Sequence, residues 1–218
     1  MSDARQRLTH LIELATTDAP ENRRTLAVEL CDLLLDWPAH YPAAMREPFE
    51  ALLEKIVRLI DADTRRALAE RLGARDETPL PLLNEFYFDA PSETRDAIVL
   101  RNALLEDGTQ PELPRANEKE IVAAARSRTN GEFTRAFASM LGIEAGTAER
   151  ILLDSSGRAL AIACKGAHMN RATFSALAVL TEGSGGTVDL RERLSSFDSV
   201  PLTAAERLLV HWRTKHAA

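Results

Sequence analysis

Residues 157–167 read GRALAIACKGA, and from Leu160 to Cys164 the side chains are apolar, small or branched, without a break. A run of this length is long for one buried strand, and its alanines favour helix over sheet, where β-branched and aromatic residues dominate. A helix that is apolar nearly all round has no face for water, so other elements must cover it on several sides. The flanking sequence supplies them. Phe133, Ala136, Phe137, Met140 and Leu141 form an i, i+3, i+4, i+7, i+8 stripe before the run, and Phe174, Leu177 and Ala178 form another after it. The stretch 157–167 is therefore expected to be the hub of an all-α core.

Composition supports the same class. Of 218 residues 45% are hydrophobic, enough for a real core in one elongated domain or two small ones. Aromatics make up 5%, which argues against a β-sandwich and against a platform that stacks bases on exposed rings. The net charge of −6 is unevenly spread, with 13 basic and 21 acidic residues in 1–109 but 14 and 12 in 110–218. Phosphate-backbone binders concentrate positive charge, and this chain does not. Cys31 lies on an apolar stripe and Cys164 in the hub, so both read as reduced core thiols. The first 18 residues, MSDARQRLTHLIELATTD, are amphipathic and lack the apolar centre of a signal peptide. No run reaches membrane-spanning length, and a cytoplasmic location is expected.

Taken in order, the periodicity predicts about a dozen short helices. Leu8, Leu11, Ile12 and Ala15 mark the first, and Leu26, Ala27, Leu30, Leu33 and Leu34 the inner face of the second. Met45, Phe49, Leu52, Leu53, Ile56 and Ile60 mark a third, which either starts or kinks at Pro48. Asp61 and Asp63 offer caps to a fourth, with Ala67, Leu68 and Leu72 inward. A short apolar helix at 79–89 precedes one opened by Pro91 and Ser92, with Ala97, Ile98, Leu104 and Leu105 inward. EDGTQPELPRA, residues 106–116, reads as a linker, giving an acidic half over 1–110 and a hub-containing half over 111–218. Asn117 with Glu120, and Thr203 with Glu206, have capping-box spacing. Asp154, Ser155 and Ser156 are expected to cap the hub, and GSGG at 183–186 to break the chain. Leu208, Leu209 and Trp212 face inward on a last helix that ends in Arg213 and Lys215. The helix starts ENRRTL (21–26), DTRRAL (63–68), ETRDAI (93–98) and, more loosely, TAERIL (147–152) share a signature. Its recurrence predicts stacked helical hairpins forming an α-α superhelix of HEAT-like type.

The segment LGIEAGTAERILLDSSGRALAIACKGAHMNRATFSAL, residues 141–177, resembles the bacterial domain-of-unknown-function family 2336, whose members are helical and HEAT-like. The match is good over about 141–181, extends plausibly back to Pro20 and is poor after Gly183. The resemblance implies a superhelix whose job is protein contact, and it brings no catalytic residue with it.

No constellation of reactive residues emerges. His168 follows Cys164 by four, but Gly166 lies between them and no third ligand is evident, so a helix-end or core role is expected over a metal site. His10, His40, His211 and His216 are scattered. DSSGR (154–158) reads as a helix cap rather than a nucleophile turn, and GSGGT (183–187) lacks the lysine of a phosphate loop. Acid pairs such as Asp61 and Asp63 sit at helix starts, where the macrodipole accounts for them. No catalytic, cofactor-binding or metal residue is therefore assigned, and no cofactor or enzymatic activity is expected. The expected function is a non-catalytic scaffold or adaptor that binds a protein partner and can self-associate. The alternative is a DNA-binding regulator using a helix-turn-helix-like segment at 134–154, in which Ala138, Gly142 and Ile151 occupy the structural positions. Its second helix would present Glu149, Arg150 and Asp154, two acids against one base, which counts against nucleic acid.

Overall fold

The computed structural model describes residues 9–15, 19–73, 75–105, 117–127, 130–181 and 189–214, and no strand occurs among them. The fold is all-α. The elements are α1 (described over 9–15), α2 (Pro20–Leu35), α3 (Arg46–Val57, after a 3-10 turn at Ala43–Met45), α4 (Ala62–Gly73), α5 (Leu80–Glu85) and α6 (Ser92–Leu104). Then follow α7 (Glu118–Arg126), α8 (Asn130–Leu141), α9 (Ala145–Leu153), α10 (Arg158–Gly166), α11 (Arg171–Leu180), α12 (Leu190–Ser199) and α13 (Leu202–Thr214). The chain divides into two compact units, Met1–Ile98 and Val99–Ala218. The expected linker at 106–116, the GSGG break, Leu8 and Lys215 lie outside the described residues.

In the second unit α10 is the enclosed rod that its alanines predict. Every residue from Ala159 to Cys164 is 0% exposed. Helices α9, α11, α12 and α13 pack around them, α13 most extensively. The approach of α13 requires Gly166, because a Cβ there would stand 2.6 Å from the carbonyl oxygen of Ala205. That obstacle is backbone and cannot swing aside.

Both ends of α10 are closed by local chemistry. Gly157 enters with φ +70°, a conformation that suits glycine, and a Cβ there would also meet Arg193 Cγ at 2.3 Å. Asp154 accepts the Ala159 N–H at 2.8 Å, and Ser156 Oγ accepts the Arg158 N–H at 3.2 Å. Ser155, expected to share the cap, stays exposed. At the other end the Met169 N–H reaches the Cys164 carbonyl at 2.9 Å and the His168 N–H reaches that of Lys165 at 3.0 Å. This is a Schellman closure with His168, at φ 56°, in the left-handed position usually held by glycine.

Two expected capping boxes do not form. Asn117 is the N-cap of α7, but its side chain makes no cap bond. Thr203 lies within α13, which begins at Leu202, and Glu206 pairs instead with His168 at 3.1 Å.

The first unit packs α3 and α4 on α2, and α5 on α3. Leu26, Ala27, Leu30, Leu33 and Leu34 are buried on α2, as their spacing predicts. Pro48 is the third residue of α3, in the first turn, where a backbone N–H has no acceptor within the helix; the helix starts there and does not kink. Ala67, expected inward on α4, is exposed, and Ala69 is buried beside Leu68 and Leu72. Two copies of the repeated helix start converge on the turn after α5. Arg65 pairs with Asp89 at 3.2 Å, while Arg95 donates to the carbonyls of Phe88 and Ala90 at 3.1 and 2.9 Å.

Asp61 caps α4 by accepting the Thr64 N–H at 2.9 Å and its hydroxyl at 2.8 Å, with Arg24 alongside at 2.9 Å. Asp63, the other candidate cap, is exposed and pairs with Arg66 at 3.2 Å. The two Thr64 hydrogen bonds, aided by Arg24, hold the Asp61 carboxyl far below the usual carboxylate range.

Two predictions follow from these contacts. Gly166→Ala should destabilise the chain by about 2 kcal/mol in urea melts, since overpacking against backbone outweighs the small helix-propensity gain at a helix terminus; an unchanged midpoint would refute the close approach. For Asp61 the folded-state pKa is depressed, so its contribution is complete above the unfolded value of about 4 and is lost as pH falls below it. Asp61→Asn keeps a capping oxygen and removes the charge. The stability gap between wild type and this variant should therefore be present at pH 6 and shrink towards pH 2.

Candidate functional site

The reactive side chains of Cys164 and His168 are held apart by the fold. Cys164 is 0% exposed inside α10, whereas His168 is exposed and pairs with Glu206. Among the described residues no group of three or more histidine, cysteine or acidic side chains is placed to hold a metal ion. His10 meets Glu29 at 3.1 Å, His40 packs edge-on against Tyr41, and His216 lies outside the described residues. Burial pushes the Cys31 thiol up to about 11 and raises that of Cys164 further.

The NRATF motif (170–174) locks helix to helix. Asn170 Oδ1 caps α11 through the Thr173 N–H at 2.8 Å. The Glu118 carboxylate arrives from α7 and accepts from the Asn170 backbone at 3.3 Å, from Asn170 Nδ2 and from the Thr173 hydroxyl. An anion at a helix N-terminus is favoured by the exposed N–H groups and the dipole, and here the protein supplies its own.

Helices α8 and α9 join through the expected glycine turn. Gly142 has φ +66°, and the Ile143 N–H closes on the Ala138 carbonyl at 3.0 Å. Ala138 and Ile151 are buried. The outward residues of α9 are Ala145, Gly146, Glu149 and Leu153, with Arg150 half-buried. Asp154, expected to be presented beside them, is drawn into the cap of α10.

Three basic side chains of this unit, Lys165, Arg207 and Arg213, donate to carbonyls at helix ends. Lys165 Nζ donates to Phe197 and Val200 at 2.8 and 2.6 Å, at the end of α12, and lies 5.1 Å from the Phe197 ring centroid. Arg213 donates to Leu141 at the end of α8. Its burial pulls the guanidinium below its ordinary pKa. Arg207 donates to the Asn102 and Leu105 carbonyls at the end of α6.

That last clamp fixes an unexpected surface. Leu104 and Leu105, predicted to face inward, are 68% and 48% exposed, and Leu100, one turn before Leu104, is 57% exposed. Ile98, also predicted inward, is buried, and Val99 and Asn102 complete the inward side of α6, the last only 1% exposed. Apolar residues lie on both sides of this helix, so its spacing fits either phase, and the buried Asn102 makes the true one look polar. The result is an apolar face held out to solvent by a helix whose end Arg207 anchors to α13.

No helix among the described residues is long and apolar enough to cross a membrane. Both thiols should resist iodoacetamide at pH 8 in the native chain and react once urea unfolds it, because burial denies access and disfavours the thiolate; labelling of the native chain at the free-thiol rate would contradict the packing.

No curated protein and no solved structure matches the chain. The family match begins at residue 109, so it does not reach back to Pro20, and it runs on past Gly183 through α12 into α13. Residues 109–210 match the model of the family DUF2336, described as an uncharacterised protein conserved in bacteria.

Proposed function

We propose that the chain is a non-catalytic helical scaffold or adaptor of the bacterial cytoplasm, binding a protein partner through the leucine face of α6. The observation that carries this reading is the outward placement of Leu100, Leu104 and Leu105. Isolated exposed apolar residues are ordinary, but Leu100 and Leu104 stand one turn apart at an anchored helix end with Leu105 directly after it, a grouping of the kind that partners bury. The HEAT-like stacking suggested by the recurring helix starts belongs to the same proposal, since such arrays serve as binding surfaces. A second copy of the chain is one candidate partner.

The DNA-binding reading draws on the turn at Gly142 and the buried Ala138 and Ile151. The outward side of α9 weighs against it, because Ala145, Gly146, Glu149 and Leu153 offer no cation to a phosphate.

Affinity capture from bacterial extract with the full chain tests the proposal. A reproducible partner should be recovered and lost with Leu104→Glu, which changes an exposed residue and should leave the melting transition within about 0.5 kcal/mol of wild type. Light scattering of the pure chain would register self-association instead. Capture unaffected by Leu104→Glu, together with a monomer whose behaviour that variant leaves unchanged, would refute the role of α6. A gel shift that weakens steeply with salt would favour DNA.

A further inference from the structure

We infer that the first unit holds a binding site for a small carboxylic acid with a compact apolar body, at a cavity between α2, α4 and α5. The cavity measures about 260 Å³ and opens to solvent. At roughly 30 Å³ per water that is room for about nine water-sized groups, the scale of a branched or aromatic acid rather than of a large cofactor.

Its floor is apolar. Leu34, Leu72 and Leu82 line it and are themselves at most 5% exposed. The half-buried indole of Trp37 forms a wall whose orientation is fixed by two edge-on contacts, Tyr41 at 5.6 Å and Phe49 at 6.0 Å between centroids. A wall held from behind is preformed, so a ligand need not order it.

The mouth carries the charge. Arg46 donates Nε to Glu50 at 2.8 Å, an arrangement that engages one edge of the guanidinium and leaves its terminal nitrogens to face other acceptors. Arg75 lines the same mouth and is exposed, and its side chain has no hydrogen bond or ion pair among the described residues. Glu77 is also present and exposed, and it does not neutralise Arg75 by pairing with it. Elsewhere in this unit arginines sit in ion pairs: Arg24 with Asp61, Arg58 with Glu85, Arg65 with Asp89 and Arg71 with Asp32. A guanidinium with no partner among the described residues, at the rim of an apolar cavity in the acidic half of the chain, matches a carboxylate head on an apolar body. Guanidinium binds carboxylate through two parallel hydrogen bonds, which is why head-group identity should matter here.

Titration calorimetry on the full chain tests this with 4-methylpentanoate and its neutral amide. The acid should bind saturably and at least tenfold more tightly than the amide. Arg75→Gln, an exposed change that should not disturb folding, should weaken the acid about tenfold and leave the amide unaltered. Trp37 emission should change with the same midpoint, while the fully buried Trp212 supplies a constant background. Equal binding of acid and amide, or an acid affinity within twofold of wild type in Arg75→Gln, would overturn the inference, as would no saturable signal up to about 20 mM. The peptide acetyl-Gly-Gly-Leu with a free terminus separates the two sources of such a head group: tighter binding than the acid assigns the site to a protein C-terminus, weaker binding to a free metabolite-sized acid.

Discussion

The contact between Gly166 and the carbonyl of Ala205 sets the geometry of the second unit. Because no side chain intervenes, α13 lies against α10 more closely than side-chain packing between helices ordinarily allows. The rest of α13 is placed by that contact. Glu206 meets His168 just past the end of α10, Arg207 meets the end of α6 and Arg213 the end of α8. One helix thus holds three others by their C-terminal ends, and its position follows from the absence of one methyl group. The Asp154 and Ser156 cap and the His168 closure fix the length of α10 independently, so the enclosed rod is determined at both ends as well as along its side.

How much of this the sequence discloses depends on how many environments a residue pattern can satisfy. A helix that is apolar on all sides has one solution, enclosure, and residues 157–167 were legible for that reason. The glycine turn at 142 is equally unambiguous. Helix α6 is not, because Ile98 and Val99 on one side and Leu100 and Leu104 on the other give nearly equivalent apolar stripes. Arg207, more than a hundred residues away, anchors the end of this helix through backbone carbonyls that any side chain would present, so that contact leaves no trace in the sequence of α6. The capping box expected at Thr203 failed for a related reason. Spacing alone does not say where a helix begins, and a start at Leu202 puts Thr203 inside α13, out of reach of the orphan N–H groups it was expected to satisfy.

The cavity of the first unit was illegible on the same grounds. Trp37 lies between α2 and α3, Arg46 opens α3 and Arg75 lies between α4 and α5. None of them carries a motif, and only the packing of α4 and α5 beside α2 brings the three to one mouth. Sites assembled from connectors leave no periodic trace, whereas a buried helix leaves a strong one.

The same distinction decides what the charge of the C-terminal half means. Its excess of basic residues, 14 against 12 acidic over 110–218, would by itself count as positive surface. A helix end, however, leaves carbonyls without partners, and Lys165, Arg207 and Arg213 satisfy those of α12, α6 and α8. Arg193 donates to Thr181 at 2.9 Å and Arg171 pairs with Asp198 at 2.8 Å. A cation bound to carbonyls contributes to net charge but is not arrayed for phosphate, so counting lysines and arginines overstates the positive surface. Folding thus has an account of these charges. It has none for Leu100 and Leu104, which no helix among the described residues buries, and that anchored apolar face is the observation on which the proposal of a protein partner rests.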